Sequence, residues 1–136
     1  HERKFTMFKS LMLAAFVVAG FAGVSAAQDA AAGETVFKKC KTCHMVGEGA
    51  ANRVGPELNG IIGRAIAGLD FNYSNAMKEF AAANGAWTVE LIDAYLAAPK
   101  TVVPGGKMAF AGLPDAADRA NVIAYLQQFT ATPPAQ

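Results

Sequence analysis

The whole cysteine complement of this chain is two residues, Cys40 and Cys43, and the residue after the second is His44. Cys40-Lys41-Thr42-Cys43-His44 is the C-x-x-C-H signature of covalent haem c attachment. Two thiols three residues apart on one helical turn can bond the two vinyl groups of one porphyrin edge. His44 is then carried over the ring with its imidazole aimed at the iron. The neutral imidazole binds through one nitrogen, and its other N–H needs a fixed acceptor. A chain tied to a flat apolar group in this way has to fold around it.

Three other uses of the pair are weaker. A thiol–disulfide oxidoreductase places C-x-x-C in a βαβ setting, and no run of this chain alternates like a strand. A structural zinc site needs four ligands, whereas the domain offers only Cys40, Cys43 and His44. A simple disulfide across so short a loop would leave His44 unexplained.

Upstream, residues 7–28 read MFKSLMLAAFVVAGFAGVSAAQ. A lysine, an apolar stretch of about fourteen residues and a small-residue exit make the build of a secretory signal peptide. Val24-Ser25-Ala26 or Ser25-Ala26-Ala27 would suit the peptidase. The run is shorter than the ~20 residues of a membrane-spanning helix, so cleavage is expected, with a retained anchor as the alternative. Residues 1–27 therefore read as an N-terminal extension plus signal peptide, and residues 28–136 as a single domain. An exported chain suits haem c, which is attached outside the cytoplasm in bacteria, and the periplasm is the expected compartment.

The formal net charge of the full chain is +1. Without Arg3, Lys4, Lys9 and Glu2 the domain stands near −1. Nucleic-acid binding wants a marked basic excess, so no polynucleotide partner is expected.

Helix signals recur along the domain. Asp29 can cap a helix reaching Lys39, with Lys38 and Lys39 in its last turn, matching the helix dipole. Gly33 and Phe37 share a face of it, where a second helix can approach. Residues 45–72 hold six glycines and no sustained period, which predicts an ordered loop with a task. Ser74 can cap a helix through Ala83, ended by Asn84-Gly85. Thr88 can cap another, with Leu91, Tyr95 and Ala98 on one stripe and Pro99 as its stop. Residues 100–113 read as a Pro/Gly-rich loop. Pro114-Asp115 opens a last helix to about Phe129, with Val122, Leu126 and Phe129 on one face and Tyr125 beside it. The expected class is all-α, with short helices and long loops wrapped around one haem.

An iron held by His44 has a sixth position, and the domain has no second histidine. Met45, Met77, Met108, a lysine or an open site remain. Met45 would have to pass around the ring edge, and Met77 sits mid-helix, where a core methionine is the ordinary reading. Met108 lies in Pro104-Gly105-Gly106-Lys107-Met108, a loop able to wrap to the opposite face, and is the preferred candidate. His/Met ligation raises the reduction potential and closes both axial positions to small ligands. That suits electron transfer and not catalysis, so no enzymatic activity is expected.

The order of motifs adds a resemblance covering essentially the whole domain. Gly33 and Phe37 precede C-x-x-C-H. Gly55-Pro56-x-Leu58, Gly63-Arg64, Tyr73-Ser74-x-Ala76, Trp87-Thr88, Tyr95-Leu96-x-x-Pro99-Lys100 and the P-G-x-K-M run to Met108 follow. In this the chain resembles class I cytochrome c and is most similar to the bacterial cytochrome c2 group. The resemblance implies thioether links at Cys40 and Cys43, with His44 and Met108 as axial ligands of the iron. It implies that the Pro56 carbonyl accepts the free N–H of His44. Arg64, Tyr73 and Trp87 would stabilise buried haem propionates, and Tyr95 would sit near the Met108 sulfur. Gly33 and Phe37 would pack against Tyr125 and Leu126. Without the resemblance, Tyr73, Trp87 and Tyr95 read as core aromatics.

Two positions depart from the family pattern. Gly106 stands where most relatives have threonine, and Met77 where many have asparagine. Each change loses a hydrogen-bonding side chain, which implies a looser Met108 loop and an altered potential. Lys39, Lys41, Lys100 and Lys107 flank the attachment site and the Met108 loop, and would form a basic ring for docking an acidic partner. The implied function is a soluble, monomeric periplasmic carrier, with no stable membrane insertion once the leader is removed. It would take electrons from a cytochrome bc complex and pass them to a photosynthetic reaction centre or a terminal oxidase. The alternative is a haem c protein with a labile sixth ligand, acting as a peroxidase or gas-binding module.

Overall fold

The computed structural model describes residues 28–133, and the extension and signal peptide expected over residues 1–27 lie outside the described part. Five helices follow in order: α1 (Ala30–Phe37), α2 (Asn75–Asn84), α3 (Val89–Ala97), α4 (Pro99–Val102) and α5 (Ala116–Leu126). The fold is all-α, short helices joined by long loops, with no strand among the described residues beyond one isolated antiparallel bridge, Ala65 to Ala86. No helix of the described part is long and apolar enough to cross a membrane.

Helix starts follow from short polar side chains reaching forward to free N–H groups. Asp29 Oδ1 accepts from Ala31 N at 2.9 Å and Ala32 N at 3.1 Å. Ser74 caps α2 through Met77 N, Thr88 caps α3 through Leu91 N, and Asp115 caps α5 through Ala117 N. Helix ends depart more from the sequence reading. α1 stops at Phe37, and the bonds of Lys39 N to Val36 O and Cys40 N to Phe37 O tighten the chain into the cysteine turn. Lys38 is thus the C-cap, and Lys39 lies beyond the helix. α5 ends at Leu126, where three-residue bonds carry the chain through Gln128 and Phe129.

Pro99 both ends α3 and begins α4, a helix where the sequence pattern had indicated only loop. A proline suits the first helical position, whose N–H has no partner in any case. In α3 the buried residue is Ile92, whereas Leu91 and Tyr95 are half-buried against the core.

α1 and α5 form the main helix contact. Gly33 lets the two backbones touch: any Cβ there would overlap the Asn121 carbonyl and stand 2.9 Å from Tyr125 Cβ. Asn121 Oδ1 also accepts from Asp29 N at 2.9 Å, which pins the start of α1 to α5. Beside this crossing the Phe37 and Tyr125 rings meet at a tilt with centroids 5.3 Å apart, and Phe129 meets Tyr125 edge-on at 5.0 Å. Leu126, Val122 and Ile123 complete this part of the core.

The glycine-rich stretch is an ordered loop held by long-range backbone bonds. Gly55 N donates to Cys43 O, Leu58 N to Met45 O, and Gly60 N to Phe129 O. Gly63 N to Trp87 O and Trp87 N to Arg64 O then bind residues 63–66 to 85–87. Arg64 and Trp87 are thereby held side by side from different parts of the chain.

Candidate haem-binding site

The attachment turn follows α1 directly. His44 N donates to Cys40 O at 2.9 Å, so the three signature residues sit on one turn of backbone. Cys40 and Cys43 are half-buried free thiols. Burial pushes the Cys40 thiol up, Cys43 adds to the shift, and Lys39 opposes it.

His44 is fixed from two sides. Its Nδ1 lies 2.7 Å from the Pro56 carbonyl, to which it donates in the Nδ1–H tautomer. Gly55 covers the ring so closely that a side chain there would collide with it. Burial holds the imidazole below its ordinary pKa; the Pro56 carbonyl works the other way, and Arg64 adds a smaller depression. The neutral form is the one that ligates a metal, and the Pro56 bond leaves Nε2 as the free nitrogen.

The Arg64 side chain is largely buried against the 57–59 loop. Its Nη1 donates to the Glu57 carbonyl at 2.8 Å and the Asn59 carbonyl at 3.3 Å, and stands 3.8 Å from Glu57 Oε2. Burial lowers its pKa, opposed by Tyr73 and then Glu57. Its Nε is buried with no hydrogen-bond partner. A guanidinium N–H in that position is costly without an acceptor, and an anionic oxygen is the acceptor it fits best. The residues present therefore suit a carboxylate-bearing group in the core. The Tyr73 hydroxyl accepts from Leu69 N at 3.3 Å, and its ring meets Phe71 edge-on at 5.0 Å.

An aromatic series leads from Arg64 to the methionine loop. Trp87, neighbour of Arg64 across the backbone pairing, lies 5.7 Å from Phe80 and 5.2 Å from Tyr95, centroid to centroid. The Tyr95 hydroxyl donates to Met108 Sδ at 3.8 Å. Burial pushes the Tyr95 pKa up to about 12, so the hydroxyl keeps its proton through neutral and mildly alkaline pH. Met45 and Met77 are half-buried, and Met77 packs against the core from α2.

Lys39, Lys41, Lys100 and Lys107 are all exposed. Lys107 Nζ donates to the Asn72 carbonyl at 3.3 Å, which ties the methionine loop to the 70–73 segment. At Gly106 a Cβ would stand 3.2 Å from the Val103 carbonyl, a tight approach for any side chain.

Sequence reasoning missed the buried polar pair behind the site, Glu57 and Asn59. Glu57 and Asn59 are each 6% exposed. Glu57 Oε2 accepts from Asn59 N at 2.6 Å, and Asn52 Oδ1 accepts from Glu57 N at 3.0 Å. Asn59 clasps Gly47, accepting from its N–H at 2.7 Å and donating to its carbonyl at 2.9 Å, and also donates to Thr132 Oγ1 at 3.0 Å. A charged residue directly after Gly55-Pro56 was the only available signal.

Short helices around a C-x-x-C-H turn, with a fixed imidazole and a buried guanidinium N–H left without a partner, define a c-type haem domain. The chain belongs to the cytochrome c family, whose pattern matches residues 30–130. It is 49% identical over 109 residues to cytochrome c2 of Agrobacterium tumefaciens (strain II Chrys), a match covering 79% of this chain and 98% of the relative. To cytochrome c-550 of Ancylobacter novellus it is 53% identical over 102 residues, covering 74% and 95%. The solved structure of cytochrome c2 from Rhodospirillum centenum superimposes with a TM-score of 0.71 at 42% identity, covering 76% of this chain and 99% of that one. The cofactor is one covalently bound haem c with its iron, and the protein is an electron-transport cytochrome similar to the c2 group.

Proposed function

We propose that this protein is a monomeric, exported carrier of single electrons in the periplasm. It accepts from a cytochrome bc complex, delivers to a photosynthetic reaction centre or a terminal oxidase, and has no catalytic activity of its own. Haem c supplies a one-electron couple at its iron. Cys40 and Cys43 would hold the group by thioether bonds, and His44 and Met108 would ligate its iron. Pro56 orients His44, and Tyr95 positions the Met108 sulfur. Arg64, Tyr73 and Trp87 accommodate the propionates, where an unpaired carboxylate would be costly. The four exposed lysines draw in an acidic partner and keep the encounter fast and weak.

The observation that carries this reading is the 3.8 Å contact from Tyr95 Oη to Met108 Sδ. It places a thioether, held by a donor, on a loop far along the chain from His44. A methionine so held supports a closed sixth position, whereas a peroxidase or gas-binding module needs an open or labile one.

The test is the optical spectrum of holoprotein matured in a host able to attach haem c, oxidised and reduced. The red charge-transfer band of a sulfur–ferric bond should be present in the parent and absent in Met108→Ala. A high-spin parent, or one that binds carbon monoxide or cyanide readily at neutral pH, would transfer the proposal to the ligand-binding alternative.

A further inference from the structure

Two arginine–carboxylate pairs occur among the described residues, and they differ in setting. Arg119 meets Asp93 at 2.8 Å, but the Asp93 side chain is 45% exposed and solvent screens the pair. The side chains of Glu57 and Arg64 are only 8% and 12% exposed, in a region where charge acts over longer distances. The Glu57 carboxylate is also not free to turn away. Oε2 accepts from Asn59 N, and Asn52 Oδ1 holds the Glu57 backbone N–H. The Arg64 Nη1 is spent on two carbonyls. Its Nε, buried and unpartnered, is left for an acceptor in the core.

We propose that Glu57 tunes the reduction potential of the haem through Arg64. This rests on the reading that Arg64 serves a haem propionate. One guanidinium is then shared between a carboxylate of the protein and one of the cofactor, so its charge is only partly available to the haem. A negative charge held in the interior favours the ferric iron, which carries one positive charge more than the ferrous. Glu57 thus lowers the potential, and does so as a positioning residue that touches Arg64 and not the cofactor. The charge has a structural role as well, since it lies 3.8 Å from Nη1 and steadies the guanidinium whose Nε is buried without a partner.

The experiment measures midpoint potential by spectroelectrochemistry on the holoprotein and three variants. Glu57→Gln keeps an oxygen to accept from Asn59 N and removes the charge; Glu57→Asn removes the charge with a shorter side chain; Glu57→Asp keeps the charge. Both neutral variants should shift the ferrous to ferric ratio at a fixed electrode potential by about threefold to tenfold toward ferrous, tenfold corresponding to 59 mV for one electron. Glu57→Asp should remain near the parent. A structural role alone would lower the unfolding midpoint without moving the potential in this charge-dependent order. Unchanged potentials in the neutral variants, or an equal rise in Glu57→Asp, overturn the proposal. Loss of holoprotein in all three also overturns it, making Glu57 a folding residue. The parent's own spectrum separates the two layers. If it shows the low-spin, sulfur-ligated bands while the variants do not shift, only the tuning role falls. If it lacks them, the carrier reading falls first.

Discussion

The backbone of Gly55 lies against the imidazole of His44, so that a methyl group at Gly55 would stand 2.5 Å from Cε1 and 2.8 Å from Nδ1. Glycine is needed here for close approach. The ring can keep its 2.7 Å contact with Pro56 only while nothing separates it from the loop. Gly55→Ala should either tilt the imidazole or lift the loop, at a cost of about 1–3 kcal/mol for an overpacked site. The expected outcome is a lower haem-to-protein ratio in purified material, with a reduced unfolding midpoint in whatever holoprotein forms. Parent values for both would show that the loop yields without disturbing His44.

Gly33 makes a stronger demand of the same kind. Its would-be side chain points into the Asn121 carbonyl, and backbone cannot rotate aside as a flexible side chain can. Gly33→Ala should separate α1 from α5 and cost about 3 kcal/mol or more. Gly63 gives the control, because its φ is +91° with nothing within 4 Å of the added carbon. Gly63→Ala should cost only the backbone penalty, about 1–2 kcal/mol. Guanidinium unfolding of the two holoproteins checks the order, and the reverse order would mean that the α1–α5 contact adjusts easily.

What was legible in the sequence was local or motif-borne. Asp29, Ser74, Thr88 and Asp115 cap their helices through partners two or three residues on, a distance that a sequence pattern can carry. C-x-x-C-H needs only one turn of chain, and the methionine loop announces itself by Pro and Gly. Helix ends were less legible, because the three-residue bonds after Phe37 and Leu126 depend on where the chain must go next. Arg64 was legible through its place in the motif order, but its buried partners Glu57 and Asn59 were not. Asn59 reaches Gly47, 12 residues back, and Thr132, 73 residues forward, and no local period encodes either contact. Buried polar groups whose partners come from distant segments read as ordinary loop residues until the fold brings them together.

Tyr125 makes part of the stability depend on pH. Its ring is packed between Phe37 and Phe129, and burial pushes the hydroxyl pKa up, with Glu34 adding to the shift. The unfolded chain gives up this proton near pH 10, about the unperturbed tyrosine value. The folded chain gives it up later. In that interval the folded state binds more protons than the unfolded state, so unfolding free energy falls as pH rises. The contribution is whole below the ordinary value and is lost as pH climbs through the folded one. Tyr125→Phe keeps the ring and removes the proton, so its stability should fall less steeply above pH 9 or so. Chemical denaturation at several alkaline pH values tests it, and parallel curves would mean that the hydroxyl is as well solvated folded as unfolded.

If Met108 ligates the iron as proposed, Tyr95 bears on the potential through its contact with the Met108 sulfur. A hydroxyl donating to the thioether sulfur draws on the lone-pair density that the sulfur would otherwise offer to iron, and a weaker sulfur donor favours the ferrous state. Since burial keeps the Tyr95 proton in place up to a pKa of about 12, this effect persists across the working pH range. Tyr95→Phe should therefore lower the midpoint potential. The fall should be up to about 40 mV, the equivalent of a roughly 1 kcal/mol hydrogen bond felt mainly in one oxidation state. The ring stays to pack against Trp87, so the unfolding midpoint should change little. The variant should also keep its red sulfur–ferric band, because the ligand itself is untouched. An unchanged potential with that band intact would mean that the hydroxyl sits beside Met108 without acting on it. A rise would mean that the contact strengthens the sulfur as a donor, the opposite of what a hydrogen bond to it should do.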